Sequence, residues 1–128
     1  MWPVKDIPDK DKLYLRIHKN HYPKGEMNVK MVFKEQGRSL STDWERHSTP
    51  EQTRNRGGQD ASNYGVISLI TGDVRGIDDL KVEHSPIEFP PEGQEPNRAH
   101  TDVLGINRRV EIKVKLQRLA NFEIPVPE

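Results

Sequence analysis

The chain has no cysteine, no long apolar segment and no excess of charge of either sign. Without cysteine among its 128 residues, it has no disulfide framework, no thiolate zinc site and no cysteine nucleophile. Its purely apolar stretches reach only two or three residues, whereas a membrane span needs about 20. Lys plus Arg total 20 and so do Asp plus Glu, so no overall field attracts a polyanion. We therefore expect a protein of a reducing compartment, the cytoplasm, with no membrane partner and with nucleic acid possible but not favoured.

Polar and chain-breaking residues are abundant instead. Apolar residues make up 32% of the chain and charged residues 31%; even with its glycines added, the apolar content stays below the roughly 45–50%, glycine included, of ordinary globular domains. Ten prolines and nine glycines indicate many turns and long loops. The N-terminal residues have neither the basic nor the apolar region of a secretion signal. The length predicts a single domain over residues 1–128, with a polar leader at 1–12, a thin core within 13–120 and a tail at 121–128.

Alternating apolar and polar side chains predict the strands. Leu13, Leu15 and Ile17 alternate with more polar neighbours, which is typical of a half-buried strand. The other strand candidates are 29–33, 38–42, 80–84 and 99–104. The apolar run 64–70 fits either a strand or a buried helix, because a run this short does not distinguish the two.

Helix signals are fewer. Ser48 or Thr49 followed by Pro50 is a typical helix start, and 71–75 fits a single helical turn. Segment 107–120 has both a strand pattern and a helix pattern, and we favour a helix that begins near Asn107.

The resulting fold class is α+β. We expect a small mixed or antiparallel sheet of about five strands with one or two short helices, and loops with little regular structure at 55–63 and 89–97. The apolar members of the periodic segments should form the core: Leu15, Ile17, Val32, Phe33, Val66, Leu69, Val82, Val103, Leu104, Leu116 and Leu119.

Three polar residues are candidates for chemistry. Arg16 and His84 lie on the polar faces of two predicted strands, and His100 begins a third. A guanidinium beside two imidazoles could bind a phosphate and exchange protons with it, so we predict that all three converge on one concave surface. Separate solvated side chains are the alternative.

Two other groupings carry weaker signals. His18 and His21 have a spacing that can share a metal, but solvated histidines are the favoured interpretation, and we predict no metal and no cofactor. By residue type alone, Ser85, His100 and Asp102 could form a catalytic Ser-His-Asp triad, yet no glycine-flanked serine supports it.

An arginine strand followed by a serine–threonine strand resembles the sites of ADP-ribosyltransferases. Arg16 would take the part of the arginine that binds the dinucleotide phosphates, and Ser41 with Thr42 the part of the strand that lines the pocket. The chain departs from that family in having no Glu-x-Glu strand downstream and in being short.

A broader resemblance covers about residues 13–120. The blocks Arg-Ile-His, Leu-Ser-Thr-Asp, Tyr-Gly-Val-Ile-Ser-Leu and Asn-Arg-Ala-His-Thr-Asp-Val-Leu-Gly are similar to those of a family of small uncharacterised prokaryotic proteins. The resemblance implies a prokaryotic protein and brings no function with it. It adds Asp43, Tyr64 and Asn97 as candidate binding residues, because the shared blocks include them.

Three functions follow from these observations. The first is a non-enzymatic module that binds a protein partner, since the chain is neutral, has long loops and lacks a complete catalytic set. The second is a small enzyme acting on a nucleotide or phosphoester through Arg16, His84 and His100. The third is a nucleic-acid binder that uses the basic residues Arg108, Arg109, Lys113, Lys115 and Arg118, although such a segment is equally a solvated helix face.

Overall fold

The structure is a computed structural model that describes residues 1–128. Its six strands are β1 Lys12–His18, β2 Ser39–Trp44, β3 Tyr64–Ile70, β4 Lys81–His84, β5 His100–Leu104 and β6 Asn121–Ile124. They form one sheet in the order β4-β5-β2-β1-β3-β6, and every neighbouring pair is antiparallel. The predicted α+β class is therefore confirmed, with one strand more than expected.

Four short helices connect and cover the strands. They are α1 Val29–Val32, α2 Pro50–Asn55, α3 Thr71–Arg75 and α4 Val110–Leu119. The predicted start of α2 is confirmed as a capping box, in which the Thr49 hydroxyl accepts from the Gln52 backbone N–H and the Gln52 side chain accepts from the Thr49 N–H. These two bonds satisfy donors that a helix start otherwise leaves free.

The predicted strand at 29–33 is wrong, because this segment is α1. Asn28 caps the helix by accepting from the Met31 backbone N–H. Val29, Val32 and Phe33 are the residues turned inward, which is the i, i+3, i+4 spacing of a helix rather than the alternation of a strand.

The ambiguous segment 107–120 is a helix, but it begins at Val110 rather than near Asn107. Asn107 and Arg108 both have positive φ angles, 53° and 58°, so they turn the chain before the helix and cannot belong to it. Ile112 and Leu116, one turn apart, are fully buried and fix the helix against the sheet.

The core lies on one face of the sheet. Leu13, Leu15 and Ile17 of β1 join Leu40, Trp44, Ile67, Leu69 and Val103 from the neighbouring strands, and α4 covers them with Ile112 and Leu116. Most of the predicted core residues are buried, and the exceptions, Val82, Leu104 and Leu119, are half-buried. Because side chains alternate along a strand, the opposite face carries the polar residues of the same strands.

Three predicted boundaries need correction. Segment 55–63, expected to lack regular structure, contains a 3₁₀ helix at Gly58–Asn63, whereas 89–97 is irregular as predicted. The tail 121–128 includes β6, in which the Glu123 carboxylate accepts a hydrogen bond from the Ser68 hydroxyl of β3 at 2.8 Å. In the leader, Ile7 belongs to the core. No helix in the structure is long and apolar enough to span a membrane.

Candidate functional site: a cleft where the sheet splits

A cleft opens where β1 and β2 separate. The ladder between them contains Leu13↔Trp44 and Tyr14↔Asp43 and then stops, although both strands continue and stay paired to their other neighbours. The separated segments line a cavity of about 590 Å³. Because the strand edges that face the split have no ladder partner there, their backbone donors and acceptors are available to a ligand.

The cleft lies on the polar face of the sheet. The strand register places Tyr14 opposite Asp43 and Asp43 opposite His100, so these three side chains share that face with Arg16 and Ser41. Five of the six predicted site residues line the cavity: Arg16, Asp43, Tyr64, Asn97 and His100.

The exception is His84, which the structure places on the other face. His84 pairs with Thr101 across the β4–β5 ladder, and Thr101 is the neighbour that points away from the cleft. The His84 ring packs edge-on against Trp44, with centroids 5.0 Å apart. Its Nδ1 accepts from the Lys5 backbone N–H, so its Nε2 carries the proton and donates to the Arg98 carbonyl. The predicted convergence of three residues is therefore wrong for His84, since one step of register moves a side chain to the opposite face.

Arg16 is a cation without a carboxylate partner. One guanidinium nitrogen donates to the Thr53 carbonyl at 2.9 Å, and the group lies 5.8 Å from the centre of the Tyr64 ring. No salt bridge involves Arg16. The helix carbonyl and the ring fix its position in the cavity lining, and the side chain donates no other hydrogen bond within the protein, which is an arrangement suited to an anionic ligand.

Asp43 organises one wall of the cleft. The residue is 5% exposed, and one carboxylate oxygen accepts from Thr53 and Arg56, each at 2.8 Å. The other oxygen accepts from the Asn97 amide at 2.8 Å. Both oxygens are thus engaged by internal donors, and Asp43 joins β2, the end of α2 and the segment before β5 rather than offering a free acceptor.

His100 is held in one tautomer by its neighbours. The Ser85 hydroxyl donates to Asp102 Oδ2 at 2.7 Å, so its oxygen can only accept from His100 Nδ1, at 3.0 Å. The Ser85 backbone carbonyl also lies 3.0 Å from Nδ1. The proton is therefore on Nδ1, and the lone pair of Nε2 faces Ser41 Oγ at 3.3 Å.

Aromatic rings form the rim beside Arg16. His18 meets the Tyr64 ring edge-on at 4.9 Å and the His21 ring at 5.7 Å. His18 Nδ1 accepts from the Asn20 backbone N–H and its Nε2 donates to Asp60. Burial lowers the pKa of His21, and the neighbouring His18 ring and the charge of Lys34 lower it further. The His18–His21 pair has no third ligand, and no cluster of three or more His, Asp or Glu side chains is disposed to hold a metal.

Positive charge collects in the cleft. Its lining contains three basic side chains besides histidine, Arg16, Lys34 and Arg56, against the single carboxylate of Asp43, whereas the whole chain is neutral. Lys34 and Arg56 are not among the site residues predicted from the sequence. Lys34 follows α1 and Arg56 follows α2, and neither position has a local pattern that points to the cleft, because only the packing of those helices brings them there.

The basic segment near the C-terminus does not form a second cationic surface. Arg109 donates to the carbonyls of Gly105 and Ile106, and Lys113 is buried against Glu35 with Nζ 3.3 Å from the carboxylate, outside hydrogen-bond geometry. Lys115 lies 3.8 Å from Asp78. Three of the five basic side chains are thus engaged within the protein, which weakens the support for a nucleic-acid binder.

No protein-family model, curated protein or solved structure matches the chain. The candidate site therefore rests on its own geometry and charge.

Proposed function

We propose that this protein binds a nucleotide or a related phosphorylated small molecule in the cleft between β1 and β2. The observation that carries the proposal is the Arg16 guanidinium, which is positioned by Thr53 and Tyr64 and has no carboxylate partner. A structural arginine in such a place is normally paired, since an uncompensated charge in a partly buried site is costly. A bound phosphate would supply the missing partner.

Size and chemistry support a nucleotide over inorganic phosphate. A volume near 590 Å³ lies within the range of pockets that hold small organic ligands. The Tyr64 and His18 rings at one end provide surfaces on which a base can stack. Arg16 on β1 and Ser41 on the adjacent strand, which share the polar face, also fit the resemblance to ADP-ribosyltransferase sites, which makes NAD⁺ one of the ligands to test, although the Thr42 hydroxyl faces the other way and donates to the Thr101 carbonyl.

The proposal is tested by replacing Arg16 with Gln. Titration calorimetry of the wild type against AMP, ATP, NAD⁺, ribose 5-phosphate and inorganic phosphate should find a nucleotide among the tightest ligands. Because a hydrogen bond to a charged group contributes about 1.5–3 kcal/mol, R16Q should weaken that binding by roughly 10- to 150-fold.

The matched control is Arg118→Gln, which removes the same charge from the exposed surface of α4, outside the cleft. It should leave the dissociation constant unchanged within about twofold at fixed salt. Equal weakening by both variants would mean that binding depends only on the overall charge of the protein, and it would contradict binding in the cleft. Absence of binding by any phosphorylated ligand would also contradict the proposal.

A protein-binding module is the second candidate. Phe89 favours it, because this side chain is 86% exposed in the proline-rich loop 89–97. A large apolar side chain held in solvent is a common anchor at protein interfaces. Replacing Phe89 with Ser should abolish capture of a partner without changing nucleotide binding, which separates the two candidates.

A further inference from the structure

We propose that Ser41 is a nucleophile and His100 its general base, completed by Asp102 acting through Ser85, in transfer of the phosphoryl group of a phosphoester. The proposal rests on the phosphate-binding function proposed above for its substrate class. The evidence for the nucleophile itself does not depend on that function. It is the sequence of hydrogen bonds that links four side chains on β2, at the end of β4 and on β5.

The proton positions follow from the donors and acceptors present. Asp102 Oδ1 accepts from Ser39 at 2.9 Å and Oδ2 accepts from Ser85 at 2.7 Å, so both hydroxyl protons are committed to the carboxylate. Ser85 Oγ is left as an acceptor for the His100 Nδ1–H. Each bond strengthens the next, because donation to a carboxylate makes the Ser85 oxygen a better acceptor.

The consequence is a free lone pair on the cleft side of the ring. His100 Nε2 has Ser41 Oγ at 3.3 Å as its hydrogen-bond partner, and Ser41 lines the cavity. A hydroxyl, a histidine within reach of it and a third group that orients the histidine are the parts of an activated nucleophile, and the first distance is often this long without substrate.

The order of these residues differs from that of the Ser85–His100–Asp102 triad considered from the sequence. Ser85, His100 and Asp102 do meet, but Ser85 lies between the carboxylate and the ring and its proton is engaged. Ser41, on the other side of the ring, is the hydroxyl whose proton His100 can accept. Asp102 also lies 3.7 Å from Nε2, where its charge would stabilise the imidazolium that forms.

The step balances without a metal or an oxidant. Ser41 Oγ attacks phosphorus and its proton passes to His100 Nε2, while the bond from phosphorus to the leaving oxygen breaks. The leaving oxygen then takes that proton from the imidazolium. In the second half, water attacks the phosphoserine, its proton passes to Nε2, and Ser41 leaves and recovers a proton from the ring. Arg16 in the same cleft would balance charge that develops on the phosphoryl oxygens.

The test uses diisopropyl fluorophosphate, which reports an activated serine without knowledge of the natural substrate. Ser41 Oγ bonds to its phosphorus, the P–F bond breaks, and fluoride leaves. Mass spectrometry of the wild type should find one adduct, mapped to Ser41, and S41A should give none. His100→Ala should slow labelling by at least about 100-fold, the usual contribution of a general base, and added imidazole should restore part of the rate.

The matched control is Ser68→Ala. Ser68 lies on β3 and donates to Glu123, outside the cavity lining, so this variant should label at the wild-type rate. Folding of each variant is checked by its thermal unfolding. Imidazole rescue of His100→Ala further separates a lost base from a distorted site, because a misfolded protein would not recover.

Four outcomes would contradict the assignment of Ser41 as a nucleophile activated by His100. They are no adduct on the folded wild type, an adduct on another serine, labelling that persists in His100→Ala, or failure of imidazole to restore any of the labelling rate. Nucleotide binding by the wild type is measured alongside. Binding without labelling would retain the proposed function and reject Ser41. Labelling at Ser41 without nucleotide binding would support the Ser41–His100 pair and reject nucleotides as its substrates.

Discussion

At the scale of single residues, the wall of the cleft depends most on Asp43. Its carboxylate is almost fully buried and is shared by Thr53, Arg56 and Asn97. Arg56 lies 2.8 Å away, and its side chain is 27% exposed against 7% for Asp43, so the pair is only partly screened by water. Removing one member of such a network leaves its donors without partners.

Asp43→Asn should therefore lower the free energy of unfolding by about 3 kcal/mol, at the lower end of the range for breaking a buried ion pair. Urea denaturation followed by circular dichroism measures the change. Asp6→Asn is the control, because Asp6 is exposed and forms none of the salt bridges, and it should change stability by less than about 0.5 kcal/mol. Similar values for both variants would show that the Asp43 network contributes nothing.

At the scale of elements, β6 and the residues after it are packed closely on β3. A Cβ atom built on Gly65 would lie 2.7 Å from the Ile124 carbonyl oxygen and 2.8 Å from the Val126 nitrogen. The glycine therefore allows the C-terminal backbone to cross β3 beside the aromatic end of the cleft.

Gly65→Ala should force that backbone to move and cost about 1–3 kcal/mol, the usual penalty of overpacking. Gly76→Ala provides the contrast, since its φ is −76° and a Cβ atom added there would lie 3.4 Å from its nearest neighbour. This second change should be neutral or stabilise by up to about 1 kcal/mol, because it reduces the entropy of the unfolded chain. A lower unfolding temperature for Gly76→Ala than for Gly65→Ala would contradict the close packing of β6 on β3.

At the scale of the whole molecule, the face opposite the cleft contains a stacked histidine pair. The rings of His47 and His84 are 6.0 Å apart and nearly parallel, and His47 Nε2 is buried without a hydrogen-bond partner. Burial lowers the pKa of His47, and the positive charge of Arg98 and the neighbouring His84 ring lower it further. The folded protein thus favours the neutral ring.

This shift makes global stability depend on pH in one direction. In the unfolded chain His47 is protonated near its ordinary pKa of about 6.5, whereas in the folded chain it is protonated only at lower pH. The stability that the neutral His47 ring contributes is therefore complete above about pH 6.5. It is lost as the pH falls toward the pKa of His47 in the folded protein. Urea unfolding at pH 7.5 and 5.5 should show a smaller loss of stability on acidification for His47→Phe than for the wild type.

His21 contributes a slope of the same sign, because its pKa is lowered too, so only the difference between the two proteins reports His47. An identical loss of stability in wild type and His47→Phe would contradict the burial of a neutral ring at this position.

The sequence by itself determined the α+β class, most strands and much of the core. Period-two alternation in β1 and β5 places apolar and polar side chains on opposite faces whatever the strand order, and the Ser-Thr-Pro-Glu-Gln start of α2 is satisfied by purely local hydrogen bonds. Arg16 and His100 were found for the same reason, since each is a polar position of a predicted strand, whereas Asp43 was found only through the resemblance to the small uncharacterised proteins. Local patterns failed at 29–33, where helix and strand spacings are hard to separate over five residues, and at β6, whose pairing partner lies far away in the chain.

Only the tertiary structure decided which polar residues meet. The interruption of the β1–β2 ladder after Tyr14 creates the cleft, and no sequence pattern encodes where two strands part. The β4–β5 register sends His84 away from His100, although both are polar residues of predicted strands. The packing of α1 and α2 brings Lys34 and Arg56 to the cavity. In each case the position of a side chain is fixed by contacts between segments remote in sequence, which a periodicity confined to one segment cannot contain.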